Sequence, residues 1–294
     1  PNLFWCLARE RTPIILVNGR VSDRSLPRYR LRRRFFSRAF NNIDVFSMQS
    51  QEDARRVGML GVEAAKIRVT GNLKFDQPMA KSAVQEREEL VRELEWTPPL
   101  ATWVAGSTHP GEEDIILRVY SRLRQEFSDL CLILAPRNQQ RFEEVFKLAS
   151  QSGWQTLLRS QLDAGEGRGA QVDVLILDTI GELARFYSLG DFAFVGGSLV
   201  PLGGHNPLEA VQRGLPVVYG PHMENFRDIA AILTGSGGGF QISDENKLFE
   251  QLRAWLTESA ATKEQVRKAQ RALQPHQGAV ARNLAIIKSL LGKS

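Results

Sequence analysis

Short apolar or β-branched runs alternate along the chain with longer segments whose apolar residues recur at helical spacing. PIILVN (13–18), DVFSMQ (44–49), KIRVTG (66–71), ATWVAG (101–106), LCLILAP (130–136), VDVLIL (172–177), DFAFVGG (191–197) and LPVVYG (215–220) read as strands. Between them, 82–95, 112–127, 138–152, 180–189, 207–213 and 224–234 read as helices; Ile115, Val119, Leu123 and Phe127 form one apolar face. Strands that alternate with helices in this way predict an α/β chain of parallel βαβ units with both sheet faces covered.

At TGNLKFDQPMAKS (70–82) the strand pattern stops, and Gly71 and Pro78 interrupt the chain. We expect residues 1–80 to be the later part of one domain, because two or three βα units are too few for a doubly wound sheet. Residues 81–275 are expected to form a complete second domain, and 276–294 a last amphipathic helix (Val280, Leu284, Ile287, Leu291) beyond Pro275 and Gly278. The glycine-rich stretches at 165–169 and 235–239 read as flexible turns.

Composition adds an asymmetry. The 294 residues are 43% hydrophobic and 24% charged, which fits a folded globular chain. The net charge of +5 is uneven: residues 1–76 hold 15 Lys/Arg against 7 Asp/Glu, so the remainder is net negative. The first quarter therefore suits an acidic partner. No run approaches the ~18 apolar residues of a membrane-spanning helix. The opening PNLFWCLARERTP lacks an initiator Met and a signal-peptide layout, so the chain reads as beginning inside a domain. Cys6 and Cys131 match no metal or redox spacing. Cys131, in an apolar strand, reads as a buried small hydrophobe, and a reducing compartment fits.

In an open parallel sheet, ligands bind beyond the carboxyl ends of the strands. Four such places carry polar chemistry. The richest is GGSLVPLGGHNPLEA (196–210), a glycine-rich loop with Asn206 as expected helix cap and Pro207 at the first helical position. Its backbone N–H groups and the helix terminus suit a phosphate or carboxylate, His205 and Asn206 can donate to it, and Glu209 can accept from ribose hydroxyls. VAGSTHPGEE (104–113) offers Ser107, Thr108 and His109 at a second helix terminus. LAPRNQQRF (134–142) projects Arg137 from a buried strand, and Arg141 reads as supporting or solvated. LILDTIGELARFY (175–187) places Asp178 and Thr179 after a strand. All but LAPRNQQRF also fit a plain capped helix start, and His222 in YGPHMENF fits either a cleft or a structural role.

Other chemistries are missing from the sequence. There is no phosphate-binding G-x-x-x-x-G-K-[ST], no strand-linked G-x-G-x-x-G, no D-x-D and no histidine spacing for a metal. The run RSLPRYRLRRRFFSRAF (24–40), with Arg28, Arg32 and Arg33 among its cations, suits anionic head groups or a phosphorylated lipid; a solvated helix with a buried aromatic stripe fits too. No nucleic-acid motif accompanies it, and nucleic acid is not expected as a partner.

As a set, VTGNLKFD (69–76), AGSTHPGEE (105–113), LAPRNQQRF (134–142), LDTIGELARFY (177–187), FVGGSLVPLGGHNPLE (194–209) and YGPHMENFRDI (219–229) closely resemble the Kdo (3-deoxy-D-manno-octulosonic acid) transferases of lipopolysaccharide synthesis, in order and over nearly the whole chain. The resemblance implies a GT-B fold, two Rossmann-like doubly wound domains facing across a cleft, the first incomplete here, with the final helix crossing back to the first. It implies CMP-Kdo as donor, a lipid A precursor (lipid IVA) as acceptor, inverting and metal-independent transfer without a cofactor, and a location at an anionic membrane surface, the cytoplasmic face of the inner membrane. By position, Pro136 and Arg137 are expected on the cytosine, with Thr179, Ile180 and Gly181 lining the same pocket. Asn206 and Glu209 are expected on the ribose-phosphate, within the loop of Gly203, Gly204 and His205, and Ser107, Thr108 and His109 on the phosphate or Kdo. No metal ligand is expected. Arg28, Arg32 and Arg33 are expected on the acceptor or membrane side.

One departure is visible: the family reads P-R-H-P-E-R-F where this chain has Asn138, Gln139 and Gln140 in the middle. The family also carries an earlier region with a membrane-anchoring segment and a glycine-rich loop whose glutamate is its general base. The expectation is that this chain binds nucleotide without transferring sugar efficiently. Two rival readings follow from the same residues, a GT-B transferase or epimerase using a UDP-sugar and a non-catalytic basic adaptor acting through 24–40.

Overall fold

The structure is a computed structural model that describes residues 2–22, 25–76, 82–95, 98, 101–165 and 172–292. The chain forms two units, one of Pro1–Pro78 with Gln274–Ser294, the other of Met79–Leu273. The glycine-rich 166–169 and part of the 70–82 boundary lie outside the described residues.

The first unit holds three parallel strands, β1 (Ile15–Gly19), β2 (Val45–Met48) and β3 (Ile67–Val69), in the order β1-β2-β3. Its core gathers Ile14, Ile43, Phe46, Met48 and Val57, apolar residues that alternate with polar ones in the flanking sequence. The basic run does not make one helix. It breaks at Arg32 (φ −109°, ψ 31°) into Leu26–Leu31 and Arg33–Phe40. Tyr29, Phe36 and Phe40 turn inward as a ladder of ring contacts ending on Phe46. The final helix, Ala279–Leu291, docks on this unit through a buried polar seam. Asn283 is 4% exposed and pairs with Ser47 at 2.5 Å, and Ser47 meets Thr70. Asp76 accepts from the N–H groups of Gly278 and Val280 at the helix start, where a carboxylate complements the dipole.

The second unit is a seven-stranded parallel sheet: β4 (Ala101–Thr108), β5 (Leu130–Pro136), β6 (Thr156–Leu158), β7 (Val174–Ile176), β8 (Phe192–Val195), β9 (Val217–Tyr219) and β10 (Gly239–Gln241). The order is β10-β9-β8-β4-β5-β7-β6. All seven residues of β5 are buried, as a central strand covered on both faces requires. Cys131 sits among them, and burial pushes its thiol up to about 12. The helix Glu112–Arg124 buries Ile116, Leu117, Val119, Tyr120 and Leu123, a wider face than its periodicity suggests, because helices Phe142–Gln151 and Glu245–Thr257 pack into the same core.

The sequence pattern misses the edge strands β6 and β10 and the helix Glu245–Thr257. Three-residue strands are too short to show a period. Ser236–Gly238 do turn, but Gly239 begins β10, and Gly238 has no room for a side chain: a Cβ there would lie 2.5 Å from the backbone of Ala269. What matters for function is the order around β4. The chain adds β5 on one side and later returns with β8 on the other, so the segments that follow β5 and β8 flank the carboxyl end of β4.

Candidate functional site

The end of β4 is irregular. Its pairing with β5 slips between Gly106 and Thr108, and Ser107 in the bulge takes φ +56°, a conformation rare outside glycine. Buried Thr108 holds the next strand in place through its carbonyl, which accepts from the Arg137 N–H at 2.9 Å. A cleft of about 550 Å³ opens here. Ser107, Pro136, Arg137, Thr179, Ile180 and Gly181, expected at separate sequence positions, all line it, and so do Asn138, Gln139 and Gln140. Ile180 is 71% exposed, an apolar surface at the rim. The Arg137 side chain is exposed and makes no hydrogen bond or ion pair among the described residues, so its charge is available to a ligand.

Beside the cleft, the loop after β8 folds over a buried carboxylate. Glu112, with no exposure, accepts from four backbone N–H groups: His109 (3.0 Å) and Gly197 (2.7 Å) on one oxygen, Ser198 (3.0 Å) and Leu199 (2.9 Å) on the other. Successive N–H groups of this kind form an anion-binding nest. Here the anion is the protein's own, so the amides of His109 and of 197–199 are occupied rather than open to a donor phosphate. The close fit depends on Gly196, whose added Cβ would stand 2.2 Å from the Ser107 carbonyl oxygen. Sequence reading missed Glu112 because an acid in a first helical turn ordinarily faces solvent. The tandem Glu112-Glu113, a short turn after the end of β4, was the available signal.

His109 and His205 meet across the loop, Nε2 to Nε2 at 2.9 Å with rings nearly parallel. One ring donates and the other accepts, so the pair shares one Nε2 proton. Burial lowers both imidazoles, against a smaller raising effect of Glu112 on His109, and His205 falls to about 4 with His109 and the Arg137 charge contributing. Both are therefore neutral hydrogen-bonding groups near neutral pH.

The remaining residues support this frame. The Gly204 N–H donates to the Gly197 carbonyl (2.8 Å) and Asn225 donates to the Gly203 carbonyl (2.9 Å), so MENF holds the loop. The helix expected to start at Pro207 begins one residue later: Pro207 is the cap residue, and Asn206 instead accepts from the Leu208 N–H (3.2 Å) while its amide donates to Glu209. The short helix Leu208–Gln212 follows, with Glu209 half-buried. Thr179 donates to Glu182, which also receives Arg159. Asp178 caps the chain at Ser160 through its N–H and hydroxyl. Arg141 pairs with buried Glu113 at 2.7 Å, a supporting role. His222 lies 3.5 Å from Glu224 and does not line the cleft.

Arg28 and Arg32 belong to the other unit, exposed on the broken basic helix. The side chain of Arg33 lies outside the described residues. Among the described residues, no three His, Cys, Asp or Glu gather as a metal cluster, and no helix is long and apolar enough to cross a membrane.

Comparison with known proteins places this arrangement. Residues 1–77 match the family model described as 3-deoxy-D-manno-octulosonic-acid transferase (kdotransferase). The 3-deoxy-D-manno-octulosonic acid transferase of Haemophilus influenzae is 31% identical over 100% of this chain. The chain spans 68% of that relative's length and as little as 40% of others it matches. The C-terminal CMP-Kdo binding domain of WaaA from Acinetobacter baumannii superposes with a TM-score of 0.58 at 29% identity, over 65% of this chain and 98% of that domain. HepE of Anabaena, in complex with UDP and glucose, superposes over 98% of this chain and 73% of its own with a TM-score of 0.54 at 15% identity, a likeness of fold. The fold is GT-B.

Proposed function

This chain belongs to the Kdo transferase family of glycosyltransferases, and from that premise we propose that its second unit binds CMP-Kdo and that the protein transfers Kdo to a lipid A precursor, lipid IVA, in lipopolysaccharide synthesis. The observation that carries the donor reading is the convergence of Ser107, Pro136, Arg137 and Thr179–Gly181, which follow β4, β5 and β7, on one cleft at the carboxyl edge of the sheet. The likeness to a domain described as binding CMP-Kdo supports the same reading. Pro136 and Ile180 offer apolar surface to a cytosine, and the Arg137 fork suits its polar edge. Ser107 lines the cleft and offers a hydroxyl to the phosphate; in this reading His109 and His205, beside the cleft, border the phosphate or Kdo, and Asn206 and Glu209 take the ribose.

The reaction is inverting and metal-independent in this reading. The acceptor hydroxyl gives its proton to a general base, the role the family resemblance assigns to a glutamate of the family's earlier region, and attacks the anomeric carbon; the bond to the phosphate breaks, and CMP leaves with the electron pair. Fixed donors around the phosphate stabilise the charge that grows there. Arg28, Arg32 and Arg33 meet the anionic acceptor or the membrane surface that presents it, the cytoplasmic face of the inner membrane.

Calorimetry with CMP and UDP tests the donor. The expected result is tighter binding of CMP and about tenfold weaker binding in Arg137→Ala, the scale of one charge-assisted hydrogen-bond pair. Tighter UDP binding, or an unaffected Arg137→Ala, would transfer the site to a UDP-sugar enzyme.

A further inference from the structure

Both histidines at the donor site owe their placement to one side chain. His109 is held at its own N–H by the Glu112 carboxylate. His205 is held at one remove: the carboxylate fixes Gly197, and the Gly197 carbonyl receives the N–H of Gly204, the residue before His205. The carboxylate thus joins the end of β4 to the loop after β8, the two chain segments that flank the switch point. Among the described residues no cation is within its hydrogen-bonding shell, and four backbone N–H groups compensate it.

We propose that Glu112 is a positioning residue of the donor site, an internal anion around which the glycine-rich loop is organised so that His109 and His205 meet and face the donor. The proposal rests on the donor reading given above. It predicts a strict requirement for a carboxylate. Each oxygen accepts two N–H groups, whereas a glutamine presents one accepting oxygen and one donating NH₂. In either orientation of its amide, Glu112→Gln leaves two backbone N–H groups facing a donor. The loop must then move to recover partners for them.

The test compares nucleotide binding and histidine titration in the whole chain. Glu112→Gln is expected to bind CMP at least tenfold more weakly and to let His205 titrate near the ordinary ~6.5 of an exposed imidazole, read by NMR of nitrogen-labelled histidine. Glu112→Asp, which keeps the carboxylate on a shorter stem, is expected to recover part of the affinity. Asp173→Asn is the control: this buried carboxylate pairs with Arg124 and accepts from the Gln155 N–H at the opposite ends of the strands, so its loss should cost thermal stability and leave CMP binding unchanged. A folded Glu112→Gln that binds CMP within twofold of wild type, with His205 titrating as before, overturns the proposal. If that variant does not fold, Glu112→Asp decides: unaltered affinity and unaltered titration overturn it. The titration is read without nucleotide, so a wild-type protein that binds UDP, or nothing, would end the donor reading while the histidines still judge Glu112.

Discussion

The Nε2 atoms of His109 and His205 lie 2.9 Å apart although the residues are 96 positions apart in sequence, one after β4 and the other after β8. The contact makes the two loops a single hydrogen-bonded surface beside the cleft, and it persists only while the rings share one proton. A second proton would place two donors against each other.

That contact gives the fold a pH dependence. Both imidazoles bind a proton less readily folded than unfolded, where the ordinary value is ~6.5. The unfolded chain therefore takes up more protons between about pH 6.5 and the folded value of about 4 for His205, and stability falls as pH is lowered through that window. Melting curves from pH 7.5 to 4.5 should show His205→Asn losing several degrees less than wild type. Parallel losses in the two proteins would count against the pair.

Ser107 keeps its left-handed backbone at a cost of roughly 1–2 kcal/mol. Ser107→Gly removes that strain and should raise the melting temperature by about 2–4 °C, the usual scale for 1 kcal/mol in a unit of this size. The same variant loses the hydroxyl lining the cleft and should bind CMP several-fold more weakly. A variant that melts lower than wild type would show that the bulge is not strained.

Gly196 leaves no such margin. A methyl group 2.2 Å from the Ser107 carbonyl oxygen and 2.6 Å from its carbon cannot be accommodated without moving β4 or β8. Gly196→Ala should destabilise by about 3 kcal/mol or more, at the upper end for overpacked cores. The urea midpoint measures it, and a shift below about 1 kcal/mol would mean the loop is free to shift.

In the first unit, Leu31 is 87% exposed and Phe35 56% exposed amid Arg28, Arg30, Arg32 and Arg34. If this face meets an anionic bilayer, each arginine contributes ~1 kcal/mol and the attraction is screened by salt. Arg28→Glu with Arg32→Glu should cut sedimentation with phosphatidylglycerol vesicles by more than tenfold at low salt, and Phe35→Ala more modestly. Equal binding to neutral vesicles would remove the membrane role from this run.

The parallel α/β class was legible because buried strands such as Leu130–Pro136 must be continuously apolar, while helices covering them must be amphipathic. The cleft-lining positions at Ser107, Arg137 and Thr179 were legible for a related reason: in a parallel sheet the carboxyl ends of the strands share one edge, so residues just after strands become neighbours whatever lies between them. The broken basic helix was not legible, since an uninterrupted run of arginines and aromatics carries no stop signal at Arg32.

By itself the sequence determined which residues alternate between core and surface, where glycine is placed for tight loops, and which polar groups follow strands. Only the tertiary structure decided what those groups do to one another. Glu112 is an acid at a helix start until the loop after β8 closes over it. His109 and His205 are two unrelated histidines until that closure brings them within a hydrogen bond. Both outcomes depend on strand order, which puts β8 beside β4 across 80 intervening residues or more, and pairings at that range leave no period in the sequence. Backbone N–H groups, which every residue carries and no sequence motif displays, then supply the charge compensation that makes a buried carboxylate stable.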